Sequence, residues 1–357
     1  MNILAIDTSC DETSVAVTSG RRILANAIYS QILIHKKWGG VVPYLAKRAH
    51  EERIDMVVEE ALKKAIKVDK NLIDSFFKTI DYIAVTYGPG LAPALEVGIK
   101  KAQELAKKYD KKIIPVNHME GHVYSVFAQN SKGNPKKEFE FPYLCLLVSG
   151  GHTELILFRN HNDYEVIGET LDDAAGEALD KAAKMLGLGY PGGPAIEQLA
   201  KKGDLSFHKF PRPYIHVDSL NFSFSGLKTS FLYFLKKSSP EEIHTNFPHL
   251  AATFQDAVFS TLIIKLEKAI NKTGVTRIIA AGGVMANADL RKRLRALVKK
   301  HKGSVLFPTF KTLYGDNAAM IGVVANYKVE TATDKYFERV PRGRLGEEIT
   351  LNLIHHQ

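Results

Sequence analysis

The chain has 357 residues, 45% of them hydrophobic and 24% charged, with a formal net charge of +9. That composition excludes disorder of the whole chain, and the length calls for two lobes in place of one compact core. No run of 18 or more apolar residues occurs, so no helical membrane span is expected.

The start, MNILAIDTSCDET, brings an acidic cluster where a leader would have a basic region and a long apolar stretch. It reads as a first strand, and a cytoplasmic location is expected. Cys10 and Cys145 are the two cysteines, too few for a disulfide framework. Cys145 lies in the apolar run LCLLV and reads as a buried small hydrophobe. The positive charge permits a nucleic-acid partner, although solvated lysine-rich helices give the same surplus. RKRLRALVKKHK (291–302) is such a helix, with an ordinary surface face.

Residues 3–7 predict a strand, and Gly20 marks the turn between two more, TSVAVTS and RILANAIYS. Helical spacing follows over 43–66, a strand and turn in DYIAVTYGPG (81–90), a helix over 94–109, and a strand in KIIPVN (112–117) that leads into a helix from His118. SKGNPKKEFEFP (131–142) has linker composition. After it the plan restarts: LCLLVSGGHTELILF (144–158) is strand, glycine turn, strand. RIIAAGGV (277–284) is a strand and glycine turn entering a helix at Asn287, and VLFPT (305–309) is a last strand before a helix near Asp316. The sequence thus predicts two similar α/β lobes with a cleft between them: 1–130, a linker at 131–142, and 143–325. The second lobe carries a mostly helical insertion over about 160–275, and 326–357 form a tail.

The sharpest chemical signal is His118-Met119-Glu120-Gly121-His122. Residues i and i+4 lie about 40° apart around a helix, so both imidazoles can serve one cation. Glu120, at i+2, falls roughly 200° from His118 and points away from that face. This spacing does not place a general base as H-E-x-x-H metalloproteases do. Two unrelated histidines are the plain alternative. Asp316, in LYGDNAAM, is the candidate third ligand, with a helix N-cap as its alternative.

Three strand ends carry small residues: Asp7-Thr8-Ser9, Ser149-Gly150-Gly151-His152-Thr153 and Gly282-Gly283. Each is a simple turn or a place where backbone N–H groups approach a phosphate. Together they suggest a bound nucleotide, with Asn287 opening a helix that could receive adenosine or ribose. No G-x-x-x-x-G-K-[ST] occurs, nor a G-x-G-x-x-G opening a helix after a strand, which disfavours P-loop and dinucleotide chemistry. In the segment 170–200, Asp172, Asp173, Glu177 and Asp180 crowd a helix start before Pro191-Gly192-Gly193-Pro194. They either offset the helix dipole or, for Asp180 with Gly193, face a ligand ribose. NFSFSGLKTSF (221–231) reads as a half-buried strand entering a helix, with an RNA or partner surface as the alternative.

IDTSCDETSVAV, GGVVPYLAKRAH, GPGL, NHMEGH, VSGGHTEL, DDAAGEALDKAAKMLGLGYPGGP, FSFSGLKT, AAGGVMAN and GDNAAMIG, in this order, resemble the TsaD family of tRNA N6-adenosine threonylcarbamoyltransferases. SGGHT, FSFSGLKT and CDET resemble its bacterial type. The resemblance implies an actin/sugar-kinase/Hsp70 ATPase-like (ASKHA) fold. It implies one divalent metal, iron(II) or zinc, on His118, His122 and Asp316. It implies that threonylcarbamoyl-AMP is held by Val148, Ser149, Gly150, Gly151 and His152 with Asp180, Gly193 and Asn287, and that Glu197 is a further contact. The implied reaction forms t6A at adenosine 37 of tRNAs reading codons that begin with A. The implied partners are tRNA, a paralogous TsaB-like dimerisation subunit and a small TsaE-like ATPase, with no membrane.

Asp11 and Glu12 are the candidate acceptors of the N6 proton, with an acidic turn between strands as the alternative. A metallopeptidase, a non-catalytic paralogous scaffold and a sugar- or acetate-type kinase are the competing functions.

Overall fold

The computed structural model describes residues 1–66, 73–213 and 217–347. They form two compact units, one from Met1–Phe139 with the chain from Pro308 onward, the other from Glu140–Phe307. Among the described residues no helix is long and apolar enough to cross a membrane.

The first unit opens with three strands, β1 (Asn2–Asp7), β2 (Glu12–Ser19) and β3 (Arg22–Ser30). They form an antiparallel meander. Gly20 supplies the left-handed conformation (φ 59°) at the first tight turn. A short helix α1 (Ile32–His35), the long α2 (Pro43–Ile66) and a short α3 (Ile73–Phe77) follow. Then β4 (Tyr82–Gly88), α4 (Ala92–Tyr109), β5 (Lys112–Asn117) and α5 (His118–Tyr124) complete this part.

The sheet order is β3-β2-β1-β4-β5, with β4 and β5 parallel to β1 and to each other. Central β1 is buried from Ile3 to Asp7, as a near-continuous apolar run requires when both sheet faces are covered. On one face α2 and α4 bury Ile54, Val57, Ala61, Leu62, Val97 and Leu105 against Leu4, Ile6, Val15 and Val17. Full burial of each large aliphatic side chain contributes about 1.5–3 kcal/mol.

The second unit repeats the plan. β6 (Tyr143–Val148), β7 (Thr153–Asn160) and β8 (Asp163–Glu169) form its antiparallel meander. Helices α6 (Ala175–Met185), α7 (Gly192–Ala200), α8 (Ser225–Lys237), α9 (Pro240–Thr245) and α10 (Phe247–Thr273) follow, then β9 (Arg277–Ala281), α11 (Ala288–Lys300) and β10 (Ser304–Leu306). The order β10-β9-β6-β7-β8 places two parallel strands beside β6, as β4 and β5 lie beside β1. This is the two-sheet ASKHA architecture. Cys145 is buried in β6.

Three boundaries differ from the sequence expectation. The last helix, α12 (Ala318–Ala325), packs on β1 and β2 and belongs to the first unit, not to a second lobe spanning 143–325. All eight of its residues are buried, so it supplies the other cover of the first sheet. The expected linker 131–142 is only partly one. Phe139 stacks on Phe127 with centroids 3.9 Å apart, and Lys137 Nζ donates to the Val126 carbonyl at 2.8 Å. The helical insertion begins after β8, because 163–169 complete the second sheet. Of the expected tail 326–357, residues 348–357 lie outside the described residues.

Candidate metal centre and nucleotide cavity

β5 ends at Asn117, whose side-chain oxygen accepts from the Met119 N–H at 2.9 Å and starts α5 at His118. Every residue of α5 is buried. The His118 and His122 rings lie 4.9 Å apart at 83°. Their Nε2 atoms stand 3.4 and 3.3 Å from the same Asp316 Oδ1. Asp7 Oδ2 lies 3.4 Å from His118 Nδ1, close enough for electrostatic attraction though not hydrogen-bonded.

Asp316 is not the N-cap of α12. Asn317 is, accepting from Met320 N–H at 3.1 Å, while Ser14 Oγ of β2 accepts from Ala318 N–H at 2.9 Å. The neighbouring residue having taken the capping role, Asp316 faces the histidines.

Both nitrogens of His122, His118 Nδ1 and Asp7 Oδ2 are buried without a hydrogen-bond partner. Such orphans are costly unless something else satisfies them. One ligand atom each from His118, His122 and Asp316 lies within 4.8 Å of the others. Two imidazoles and one carboxylate are a donor set that fits zinc or non-haem iron(II). Burial disfavours charge here, yet Asp7 and Asp316 raise His118 well above the ordinary imidazole value. Against the same burial, His118 and His122 hold Asp316 well below the usual carboxylate range. Glu120 points away, as its spacing requires, and its buried carboxylate pairs with the partly buried Lys328 Nζ at 2.9 and 3.0 Å.

Asp11 is buried and Glu12, at the start of β2, is half-buried. Burial, then Asp11 and Asp316, push the Glu12 carboxyl well above the usual range. The Cys10 thiol is raised by burial and the same neighbours. The acidic turn therefore adjoins the histidine–aspartate cluster within the first unit.

The second unit holds a cavity of about 220 Å³ lined by Gly150, Asp180, Gly193, Glu197 and Asn287. These are five of the nine substrate-binding candidates. Asp180 Oδ1 accepts from the Gly192 and Gly193 N–H groups at 2.7 and 3.0 Å and fixes the start of α7. Glu197 Oε1 accepts from Ala288 N–H at 2.9 Å at the start of α11. Asn287 caps α11 through Asp289 and Leu290, and its amide donates to Gln255 Oε1 at 2.9 Å.

Val148 at the end of β6, and Ser149, Gly151 and His152 of the turn into β7, do not line the cavity, although Gly150 of the same turn does. Ser149 Oγ is engaged inside that turn, accepting from His152 N–H at 3.1 Å. The sequence reading missed Gly176, Leu179, Pro191, Pro194, Val284 and Ala286 in the lining. Gly176 had a signal in its type. A Cβ there would stand 2.4 Å from the Ser149 carbonyl oxygen, so only glycine lets α6 approach the turn.

Asp172 and Asp173 are structural. Asp172 accepts from the Phe224 and Ser225 N–H groups at 2.7 and 3.1 Å, and Asp173 pairs with Lys181 and Lys228 at 2.8 and 2.6 Å. The segment 221–224 is mostly buried, and Phe222 makes a single bridge to Thr170.

Fold and sites define a two-sheet ASKHA-type protein, with a histidine–aspartate cluster in one unit and, in the other, a small cavity of largely apolar lining into which Asp180, Glu197 and Asn287 bring polar groups. The crystal structure of HypF from T. kodakarensis has this fold: TM-score 0.59 at 16% identity, covering 92% of this chain and 47% of that one. This chain thus spans about half the length of the HypF chain.

The model of the family "TsaD: tRNA N6-adenosine threonylcarbamoyltransferase" matches residues 22–323. The tRNA N6-adenosine threonylcarbamoyltransferase of Clostridium kluyveri is 45% identical over 351 residues, 97% of this chain and 98% of that protein. The one of Thermosipho africanus is 45% identical over 344 residues, 96% and 99% of the two chains. The chain belongs to the TsaD family and is a transferase of tRNA modification.

Proposed function

We propose that the protein moves the threonylcarbamoyl group of threonylcarbamoyl-AMP to N6 of adenosine 37 in tRNAs that read codons beginning with A, giving t6A. His118, His122 and Asp316 would hold one divalent metal, iron(II) or zinc. The observation that carries the site is the convergence of two buried imidazoles on one Asp316 oxygen, with neither His122 nitrogen hydrogen-bonded.

In the transfer, N6 attacks the carbamoyl carbon, the bond from that carbon to the phosphate oxygen breaks, and AMP leaves. N6 is a weak nucleophile because its lone pair is delocalised into the ring, so positioning and charge stabilisation dominate. A metal bound there supplies Lewis-acid polarisation or an anchor for a carboxylate. The backbone N–H groups of Gly150 and Gly151 would hold the phosphate of the leaving AMP, and Gly193, Asp180 and Asn287 border the cavity that would take its nucleoside. Asp11 or Glu12 would take the N6 proton. The competing metallopeptidase reading lacks its base, because Glu120 is held by Lys328. The family membership favours a cytoplasmic enzyme working with a TsaB-like subunit and a TsaE-like ATPase.

The test is transfer of labelled threonine to an ANN-decoding tRNA transcript, with threonylcarbamoyl-AMP supplied by a synthase and the two partners present or absent. Labelled t6A is expected, with a loss of at least about 100-fold, and loss of bound metal, in His118→Ala and Asp316→Ala. No label from a folded, metal-loaded protein in either condition would overturn the reading.

A further inference from the structure

We propose that His50, on α2, is the positioning residue of the acidic turn: it clamps Cys10 and Thr13 and so fixes Asp11 and Glu12 between them. The functional half of this rests on the reading of those two carboxylates given above. The turn from β1 to β2 exposes three successive carbonyls, and each is tied to a different element. Ser9 O accepts from Leu91 N–H at 2.8 Å, ahead of α4, and Asp11 O accepts from Gln31 N–H at 2.9 Å, just past β3. Cys10 O lies 3.0 Å from His50 Nε2. Of these three ties, only the last is made by a side chain.

The chemistry of the partners settles the ring's tautomer. A carbonyl only accepts, so Nε2 carries the hydrogen and donates it to Cys10 O. Nδ1, 2.7 Å from Thr13 Oγ1, then accepts the Thr13 hydroxyl proton. His50 and Thr13 are both fully buried. A buried imidazole is costly unless both nitrogens are bonded, so the two bonds act together. One rigid ring therefore spans residue 10 and residue 13, and the two carboxylates are the residues in between. A side chain serving only to fill space on that face of α2 would need neither nitrogen.

The ring atoms suggest the experiment. In His50→Gln the amide nitrogen reaches about where Nε2 lies and can still donate to Cys10 O. In His50→Asn the shorter amide reaches Thr13 but not Cys10, and His50→Leu reaches neither. Two readouts are taken on the full chain with its partners: transfer kinetics with metal content, and native-state alkylation of Cys10 by iodoacetamide, followed by peptide mass spectrometry. Cys145, buried in the second unit, reports unfolding there, and a thermal melt reports the first unit.

Expected are about wild-type labelling of Cys10 and transfer within about 3-fold for His50→Gln. For His50→Asn and His50→Leu, Cys10 should label at least about 10-fold faster. Their kcat should fall at least about 30-fold, with KM and metal content nearly unchanged. Unchanged Cys10 labelling in a folded His50→Leu protein, or an Asn variant that behaves like the Gln one, would overturn the clamp. Faster labelling with transfer intact would leave the clamp standing and instead overturn the role given to Asp11 and Glu12. If His50→Leu does not fold, Thr13→Val removes one bond at nearly constant volume. It should raise Cys10 labelling about 3-fold, and no rise would count against the clamp.

Discussion

Glu120 shows how one helical turn divides its labour. His118 and His122 leave α5 on the face toward Asp316, while Glu120 leaves on another and meets Lys328. Burial raises the Glu120 carboxyl, and Lys328 opposes that shift. A buried pair is costly to break from one side, because the remaining charge is stranded. Glu120→Ala should destabilise the first unit by about 3–5 kcal/mol in denaturant unfolding, and the double variant Glu120→Leu/Lys328→Met should recover most of that loss. If the single variant unfolds like wild type, the pair does not anchor α5.

Between elements, the ligand geometry depends on how closely α12 approaches the first sheet. A Cβ on Gly322 would stand 2.6 Å from Thr18 Oγ1 and 2.8 Å from Thr18 Cγ2. Threonine is stiff at χ1 and both branches are in the way, so no rotamer clears the space. Gly322→Ala should cost about 1–3 kcal/mol of stability, read from the denaturation midpoint. It should also lower metal retention, since Asp316 lies two residues ahead of this helix. In the second unit Asp256 of α10 accepts from Arg212 at 2.6 Å and from Arg293 of α11 at 2.7 Å. Burial would raise its carboxyl, but Arg293 and Arg212 hold it below the usual value. A depressed folded value means stability that is present above the unfolded value near 3.9 and is lost as pH falls through the folded one. Asp256→Asn should cost about 1.5–3 kcal/mol at neutral pH and flatten the acid limb of the stability curve below about pH 4. An unchanged acid limb would show that the two arginines are held by other groups.

For the molecule as a whole, a charge of +9 and a polynucleotide substrate make binding an ion-exchange process. Each neutralised phosphate releases condensed counterions, so the logarithm of affinity falls linearly with the logarithm of salt. Affinity for an ANN-decoding tRNA should drop at least about 10-fold between roughly 50 and 200 mM salt, measured by filter binding. A flat response would mean that the basic residues do not meet the phosphates. The repeated sheet plan also has a consequence for assembly of the chain. The first unit is complete only after the second has been made, because α12 and Asp316 come from beyond Pro308.

Local patterns were enough for the elements that matter most. The 3.6-residue period gave a helix over 43–66, the strand KIIPVN ran to its end at Asn117, and the helix began at His118. The shared plan of the halves was legible because each meander announces itself by apolar runs broken at glycine. The i, i+4 histidines and the outward glutamate followed from helix geometry alone, and the nine ordered motifs led to the family. Only tertiary structure decided the rest, because distance along the chain carries no information on contact. It brought Asp316 to histidines nearly 200 positions earlier, returned α12 to the first sheet and put Lys328 opposite Glu120. It collected five of nine substrate candidates in one cavity, while of the β6–β7 turn only Gly150 reaches its lining. It also made His50, one apolar-face position among many in the periodicity of α2, the side chain that spans Cys10 and Thr13.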